Sequence, residues 1–493
     1  MTDLNRRMVA GAAWMVLFRL TDRGIGFVST LILARLLVPD DFGLVAMATS
    51  ILAALELLGA FSFDMALIQN RTAARHHYDT AWTFEVIFGL TKCALLLALS
   101  VPAAAFYSEP RITAVMQVLA VCALIQGFDN IGVVAFQKDL EFHKEFWFGL
   151  ARKLAGFVVT IALAYTLRSY WALLGGMLTL RITSLLMSYR LHPFRPRFSL
   201  SASRELFNFS KWLLLNNILI FANNRGADFV IGRLNGARAL GIYSVSYEIA
   251  NMPTTELVWP ISRAVFPGYS RLAGDTPELA RTFLQVIGLV ALLTVPAGAL
   301  IGLVAEPFVL LLLGPKWLDA VPLIQVLAVF GIVRSLHGPS GSIYIALGKP
   351  IVVALLQCIQ LVIAVTLMVV LVPRLGAVGA GWAILCGATT AMVVNYALVQ
   401  RELQIPIRRL LGALARPLSA AAVMAGAVLV VAPMTDGGGM GALAAGLRLC
   451  ILSACGLAAY VGCILLLWVV GGRAAGPETQ TMAFIQARFN RAA

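Results

Sequence analysis

Charged side chains suited to binding an anionic ligand are concentrated in four apolar segments, which begin near residues 8, 42, 211 and 240. The candidate substrate-binding residues among them are Arg19, Asp22, Arg23, Glu56, Arg225, Asp228, Glu248 and Glu256. An ionisable residue inside a membrane span costs about 2.5–3.5 kcal/mol and must face protein or water. The set predicts a cationic site for an anionic head group, with carboxylates balancing the charge when the site is empty.

Two Arg–Glu pairs in this set are predicted to lie at equal depth. Arg23 and Glu56 are each fourteen positions from the first predicted turn, which spans 37 to 42. Arg225 and Glu248 are each eight positions from the fourth turn, which spans 233 to 240. Each pair either binds the head group or is a structural ion pair that fixes helix packing, and both interpretations stay open.

Amide and imidazole side chains add further candidates. The segment that carries Arg225 also holds Asn217 and Asn224, next to Asn216 and Asn223. So many amides either line a cavity or form hydrogen bonds between helices. His337 precedes Gly338 and Pro339, so a protonatable group stands beside a predicted helix break; it is the candidate for proton coupling, with a structural role as the alternative.

Motifs for enzyme chemistry are missing from the sequence. It has no Walker motif, no HExxH, no GxSxG and no metal-spaced Cys/His set. The seven cysteines are scattered, most of them within apolar runs, which favours buried apolar residues over ligands. Asp40 and Asp41 follow Pro39 and indicate turn chemistry rather than a metal site. We therefore predict no enzyme activity, no cofactor and no metal.

The elements that position these residues are membrane helices. Of the 493 residues, 60% are hydrophobic and 13% are charged, whereas soluble domains are nearer 45–50% apolar and 25% charged. This excludes a soluble enzyme, a disordered protein and a nucleic-acid-binding module, despite the net charge of +14. Five runs contain no Asp, Glu, Lys or Arg and are long enough to span a bilayer: 282–305, 351–373, 375–400, 417–435 and 449–472.

Fourteen spans are predicted in all. They start near residues 8, 42, 82, 112, 147, 171, 211, 240, 282, 320, 351, 378, 412 and 446. With the N-terminus inside, the inner loops and tails hold 24 basic residues and the outer loops hold eight. The positive-inside rule therefore places both termini in the cytoplasm.

The sequence also repeats itself. Arg35 and Gly43 at the first outer turn recur as Arg233 and Gly241, an offset of 198 from 35 to 233. The letters QVLAV occur at 117–121 and again at 325–329, an offset of 208. Six spans separate the copies, so the halves share one orientation, and two parallel bundles predict a transporter. The predicted domains are bundles 1–205 and 206–405, two added spans in 406–472 and a cytoplasmic tail, 473–493.

Several segments together resemble the Wzx-type polysaccharide exporters of the multidrug/oligosaccharidyl-lipid/polysaccharide (MOP) superfamily, across nearly the whole chain. They are FRLTDRG at 18–24, ILARLLVPDDFGLVAMA at 32–48, FQKDLEF at 136–142, RPRFS at 195–199, IGRLNGARALGIYS at 231–244, AVFPGYSRLAGD at 264–275 and LLGPKW at 312–317. The combination is specific, whereas each motif alone is weak.

The resemblance implies an all-α, MATE-like flippase with two six-helix bundles and two extra helices. Its substrate would be an undecaprenyl-pyrophosphate-linked oligosaccharide of capsule, exopolysaccharide or O-antigen, moved from the cytoplasmic to the periplasmic leaflet of the bacterial inner membrane by alternating access. Membrane lipids, and glycosyltransferases and a polymerase of the same pathway, are the expected partners. Two alternatives stay open: a drug or cation antiporter of the same superfamily, and a membrane-embedded glycan polymerase or ligase.

Overall fold

The computed structural model describes residues 3–59, 63, 67–68, 74–435 and 442–470, and this part of the chain contains helices and no strands. Seven long helices lie wholly or partly in its first half. They are α1 (Asp3–Leu36), α2 (Pro39–Glu56), α3 (Arg75–Tyr107), α4 (Ile112–Gly127), α5 (Phe142–Leu167), α6 (Trp171–Leu191) and α7 (Ser203–Leu272). Short helical turns at Leu57–Gly59, Ile131–Val134 and Ala135–Lys138 connect some of them.

Six further long helices follow α7 in the described chain. They are α8 (Thr276–Leu303), α9 (Val321–Ala346), α10 (Pro350–Leu375), α11 (Ala377–Leu403), α12 (Ile407–Val431) and α13 (Ala442–Val470). Proline stands in the first turn of α2, α8, α9 and α10, where the missing N–H has no helical partner to lose. The side chain of Asp275 caps α8 by accepting a hydrogen bond from Glu278 N at 3.1 Å.

Helix α7 is two helices joined at one residue. Gly236 has φ 76° and ψ −172°, a conformation that only glycine adopts without strain. When α7 is divided there, the described chain has fourteen long helical segments, one for each predicted span. Pro253 and Pro260 lie in the second part of α7 and do not interrupt it.

Nine helices in the described residues are long and apolar enough to cross a membrane, or ten if Ile112–Gly127 and Ile131–Lys138, which meet at 67°, form one span. Helices α1, α2 and α7 do not meet this criterion of length, hydropathy and charge. The all-α, multi-pass prediction is thus confirmed, and its count of fourteen is approximate. Span three is longer than predicted, since α3 begins at Arg75 rather than near residue 82.

Contacts divide the chain into two compact units, Met1–Gly241 and Ile242–Ala493. In the first unit, α3 packs on α4, α5 on α6, and α4 on α6. The second unit repeats this order, because α8 packs on α9, α10 on α11, and α9 on α11. Helices α12 and α13 pack on each other, and α12 also packs on α8.

The repeat turns contact each other at two glycines of the first unit. A Cβ on Gly43 would lie 1.7 Å from the carbonyl oxygen of Ala237, and a Cβ on Gly241 would lie 1.8 Å from that of Pro39. Pro39 and Ala237 are separated by the same offset of 198 that relates the two turns. The carbonyl oxygens that face the two glycines therefore occupy equivalent positions in the two turns. Only glycine permits so close an approach.

The segment 192–202 between α6 and α7 is extended and lies along the start of α3. Its backbone N–H groups donate to α3 side chains: Arg197 N to Asp79 Oδ1 at 2.8 Å, Ser199 N to Thr83 Oγ1 at 2.9 Å and Ala202 N to Thr80 Oγ1 at 3.3 Å. Asn130 Nδ2 donates to the carbonyl oxygen of Phe194 at 2.7 Å. The backbone of this segment is thereby fixed to the first unit.

The predicted boundary between the two bundles, at 205 and 206, differs from the boundary between the two compact units, which follows Gly241. The sequence places residues 206–241 in the second bundle, whereas their contacts belong to the first unit, because the first part of α7 packs beside α2. The division into 1–205, 206–405 and 406–472 stays a prediction, and the tail at 473–493 lies outside the described residues.

Candidate functional site

Arg225 and Asp228 form the best-defined part of the candidate site. They lie one turn apart on α7, where a spacing of three residues brings side chains together, and Arg225 Nη1 is 3.3 Å from Asp228 Oδ2. The side chain of Asp228 is 5% exposed and that of Arg225 is 47% exposed. The buried carboxylate therefore holds one edge of a guanidinium whose other donors stay accessible.

Ser50 on α2 completes this arrangement. Its Oγ donates to Asp228 Oδ2 at 2.8 Å, so the carboxylate that would otherwise be buried at high cost has two partners. Ser50 is not predictable from its own position, because a lone serine in an apolar run carries no signal of its own. The internal repeat supplies a signal for Ser50, since the offset that aligns Gly43 with Gly241 also places Ser50 opposite Glu248.

Asp22 on α1 pairs with a lysine on α5. Asp22 Oδ1 is 3.2 Å from Lys153 Nζ, and α5 begins eleven residues before Lys153. Arg152 and Lys153 therefore lie in a helix. Arg23 is exposed and Arg19 half-buried on the same helix α1, and Glu56 is exposed at the end of α2.

The predicted amides all lie on the first part of α7. Asn217 is half-buried and Asn224 is exposed, next to Arg225. Asn223 Nδ2 donates to the carbonyl oxygen of Leu219 at 3.0 Å, which is a hydrogen bond within the helix. Asn224 is thus the amide best placed to act beside Arg225.

Glu248 and Glu256 belong to the second unit, beyond Gly236. Glu248 is exposed and Glu256 is half-buried. The carboxylate that contacts Arg225 is Asp228, on the same helix, which the depth count did not single out. The pairing of Arg225 with Glu248, and of Arg23 with Glu56, stays a prediction.

His337 lies inside α9 and not beside a helix break. Helix α9 continues through Pro339 to Ala346, so the predicted break is wrong; the proline's missing N–H and ring are accommodated without ending the helix. The Nδ1 atom of His337 is buried without a hydrogen-bond partner in the described residues. Its role in proton coupling stays a prediction.

Asp41 has the structural role that the sequence suggests. Its carboxylate accepts from Val38 N at 3.2 Å, at the start of α2, and from Tyr170 N at 3.1 Å, at the start of α6. No group of three or more His, Cys, Asp or Glu side chains that could hold a metal ion occurs among the described residues.

The helices and their charged faces define a multi-pass membrane protein with the architecture of a transporter. The chain belongs to the family described as polysaccharide biosynthesis protein, whose model matches residues 32–322. This result confirms the resemblance to polysaccharide exporters.

Two curated relatives illustrate the family. The lipopolysaccharide biosynthesis protein WzxC of Escherichia coli (strain K12) is 27% identical over 352 residues, which cover 70% of this chain and 71% of WzxC. The succinoglycan biosynthesis transport protein ExoT of Rhizobium meliloti (strain 1021) is 24% identical over 330 residues, covering 66% of each chain.

Solved structures share the fold. The inward closed conformation of the lipid II flippase MurJ matches with a TM-score of 0.71 and 11% identity, over 92% of this chain and 98% of MurJ. An inward-facing multidrug resistance MATE family transporter of the MOP superfamily matches with a TM-score of 0.59 and 15% identity, over 79% of this chain and 98% of that chain. The predicted MATE-like fold is confirmed.

Proposed function

We propose that this protein moves an undecaprenyl-pyrophosphate-linked oligosaccharide from the cytoplasmic to the periplasmic leaflet of the bacterial inner membrane, with both of its termini in the cytoplasm. The observation that carries the proposal is the accessible Arg225, held by the buried Asp228, in a chain whose relatives are named for polysaccharide biosynthesis and transport. The chain acts as a transporter and not as an enzyme.

The chemistry of the substrate explains why a protein is needed. A pyrophosphate is anionic and an oligosaccharide is large and polar, so neither crosses about 30 Å of hydrocarbon unaided. Arginine donates two parallel hydrogen bonds to phosphate oxygens, and carboxylates and amides bind hydroxyl groups. The polyprenyl tail stays in lipid throughout.

The proposed site residues take distinct roles. Arg225, Arg23 and Arg19 bind the pyrophosphate, while Asn217, Asn224 and the carboxylates bind sugar hydroxyls or balance the arginines between cycles. The carboxylates are Asp22, Glu56, Asp228, Glu248 and Glu256. Binding must differ between inward-open and outward-open states, because a ligand that binds both equally shifts nothing. His337 is the proposed site of proton coupling.

A complementation experiment tests the proposal. A bacterium that lacks its own exporter and expresses the matching glycosyltransferases and polymerase should accumulate lipid-linked glycan on the inner leaflet, measured by mass spectrometry. The present chain should restore export of the polymer. If the accumulated glycan remained inside despite normal levels of the protein in the membrane, the proposed function would be wrong.

Two competing functions give different results in the same strain. A drug or cation antiporter would leave the glycan inside and raise resistance to cationic dyes; the mixture of arginines with acids disfavours it. A glycan polymerase or ligase would lengthen or transfer chains that are already outside, and would not change the sidedness of the lipid-linked unit.

A further inference from the structure

Arg334 lies at the middle of an apolar helix of the second unit. It is thirteen residues after Val321 and twelve before Ala346, the ends of α9, and its side chain is exposed. At about 1.5 Å per residue, neither end of the helix is within reach of the side chain. Because an arginine at this depth is costly in lipid, its exposed side must face water or a ligand.

The partner of Arg334 is neutral. Its Nη1 atom donates to the hydroxyl of Tyr247 at 2.8 Å, and no carboxylate of the described chain pairs with it. Arg225 and Lys153, by contrast, each contact an aspartate. The charge of Arg334 is therefore not balanced within the described protein and is available to an anion.

Tyr247 is fixed by its surroundings. Its ring lies 6.1 Å from that of Phe330 and 5.9 Å from that of Tyr243, measured between centroids. Its carbonyl oxygen accepts from Asn251 Nδ2 at 3.1 Å. The packed phenol of Tyr247 thus orients the guanidinium of Arg334 before a ligand binds. Binding then does not have to order the Tyr247 side chain.

The hydrogen bond also sets the direction of the free donors. The Tyr247 oxygen accepts from Arg334, so its own hydrogen points elsewhere and can be donated. The guanidinium retains four further N–H donors. The guanidinium of Arg334 and the hydroxyl of Tyr247 can therefore donate hydrogen bonds to the same ligand. Several donors in one place suit the several oxygens of a phosphate or carboxylate.

We propose that Arg334 and Tyr247 form an oxyanion-binding site in the second unit, which takes a phosphate or carboxylate group of the substrate. This inference rests on the proposed function for the identity of the substrate and adds a site separate from Arg225. The group is either a phosphate of the polyprenyl carrier or the carboxylate of an acidic sugar.

The internal repeat makes the site asymmetric. The offset that aligns 117–121 with 325–329 places Gln126 opposite Arg334. The first repeat therefore has a neutral amide where the second has a cation. Arg334→Gln gives the second repeat the side chain of the first, which makes it the natural test variant.

Binding to the full-length protein in lipid nanodiscs tests the site. The probes are undecaprenyl diphosphate, which carries no sugar, and trigalacturonate, which carries no phosphate; dissociation constants are measured by microscale thermophoresis. Arg334→Gln should weaken binding of one probe by about tenfold or more, because a charge-assisted hydrogen-bond pair is lost. Tyr247→Phe, which keeps the charge and removes the hydroxyl, should weaken the same probe by about threefold.

A matched control removes the same charge elsewhere. Arg374, at the last turn of α10, is exposed in the same unit, so Arg374→Gln should leave both affinities unchanged. Loss with undecaprenyl diphosphate identifies the carrier phosphate, and loss with trigalacturonate alone identifies the glycan carboxylate. Wild-type affinity of Arg334→Gln for both probes, or an equal loss in Arg374→Gln, would overturn the inference.

Two further readouts keep the result interpretable. If Arg334→Gln does not fold, as judged by size-exclusion chromatography, Arg334→Lys and Tyr247→Phe carry the test, and unchanged affinity in both overturns the site. Export in the complementation strain is scored separately. Failure of the wild-type chain to export would refute the proposed function, whereas working export with normal binding by Arg334→Gln would refute this site alone.

Discussion

The two repeats agree at their turns, whereas the two compact units differ in the partners of their cations. Gly43 and Gly241 each approach the backbone of the other turn, through atoms that the repeat offset relates to each other. The two cations have different partners. Arg225 in the first unit contacts the buried carboxylate of Asp228, and Arg334 in the second unit contacts the phenol of Tyr247. Both arginines belong to the second repeat and lie opposite Phe27 and Gln126 of the first, so the turns keep the symmetry of the duplication and the cations do not.

The difference matters because the partner decides how much charge a ligand meets. A carboxylate near Arg225 cancels much of its field at a distance, so an incoming anion must compete with Asp228. A phenol is neutral and leaves the field of Arg334 intact. We infer that the first unit holds a cation that a substrate must displace from its partner, and the second a cation that is ready to bind.

The largest expected effect tests the symmetry of the turns. Gly241→Ala and Gly43→Ala should each prevent stable folding, since the added Cβ would overlap backbone atoms and exceed the about 1–3 kcal/mol typical of an overpacked side chain. Gly226→Ala on the same helix α7 is the control, because a Cβ there meets nothing within 4 Å. Protein levels in membranes and the midpoint of thermal unfolding measure the effect; a large loss at one turn and none at the other would break the symmetry.

Removal of the compensated cation should abolish function while sparing the fold. Arg225→Ala should stop glycan export with membrane levels within a few-fold of wild type, because Ser50 still donates to the Asp228 carboxylate and the helix keeps its apolar packing. Arg225→Lys should restore export only in part, since a point charge replaces a two-pronged donor. Cellular polymer is the readout, and full export by the alanine variant would remove Arg225 from the site.

The partners should differ in their effect on stability. Asp228→Asn leaves the half-exposed Arg225 without its carboxylate and should destabilise by about 2 kcal/mol, less than the about 3–5 kcal/mol for a fully buried pair. The double variant Arg225→Gln with Asp228→Asn should recover most of that loss. Tyr247→Phe should lower the free energy of unfolding by about 1 kcal/mol, the value typical of one lost hydrogen bond. Denaturant or thermal unfolding measures all three, and equal losses at Asp228 and Tyr247 would contradict the comparison.

The smallest expected effect is a pH dependence of the segment 192–202. Burial, with the nearby charge of Lys144, lowers the pKa of His192, whose Nδ1 accepts from Phe194 N at 3.2 Å. The unfolded state then binds the proton more readily, so stability is full above about pH 6.5, the ordinary value, and falls as the pH drops below it.

Hydrogen exchange of this segment measures that effect. Protection should fall by about twofold between pH 7.5 and 5.5, after correction for intrinsic rates. In the variant His192→Gln, the pH dependence should disappear, although Asp139, Glu141 and Arg195 remain nearby. A dependence that persists in the variant would assign the effect to one of those groups.

The sequence predicted the architecture better than the contacts of the site. Apolar runs, turns and the internal repeat anticipated fourteen helical segments, because bilayer thickness and backbone hydrogen bonding leave few alternatives. The repeat also identified Gly43 and Gly241, which proved to touch. Depth counts did not find Asp228 beside Arg225, since a count of residues along a helix ignores the direction in which each side chain points.

Polar residues without charge were harder to predict. Ser50 and Tyr247 are common residues in apolar helices, and only their partners, Asp228 and Arg334, show what they do. Lys153 was not among the predicted site residues, because basic residues usually lie outside spans. Its aspartate partner on α1 explains why it is tolerated in a helix.

The way in which the segment 192–202 is held determines which substitutions it tolerates. Because its own contribution to the three hydrogen bonds with α3 comes from backbone N–H groups, those groups decide where the segment can accept proline. Pro193 and Pro196, which have no N–H, already occupy positions that do not donate. Proline should therefore be accepted at 200 and rejected at 197, 199 and 202, which the thermal unfolding of single variants measures.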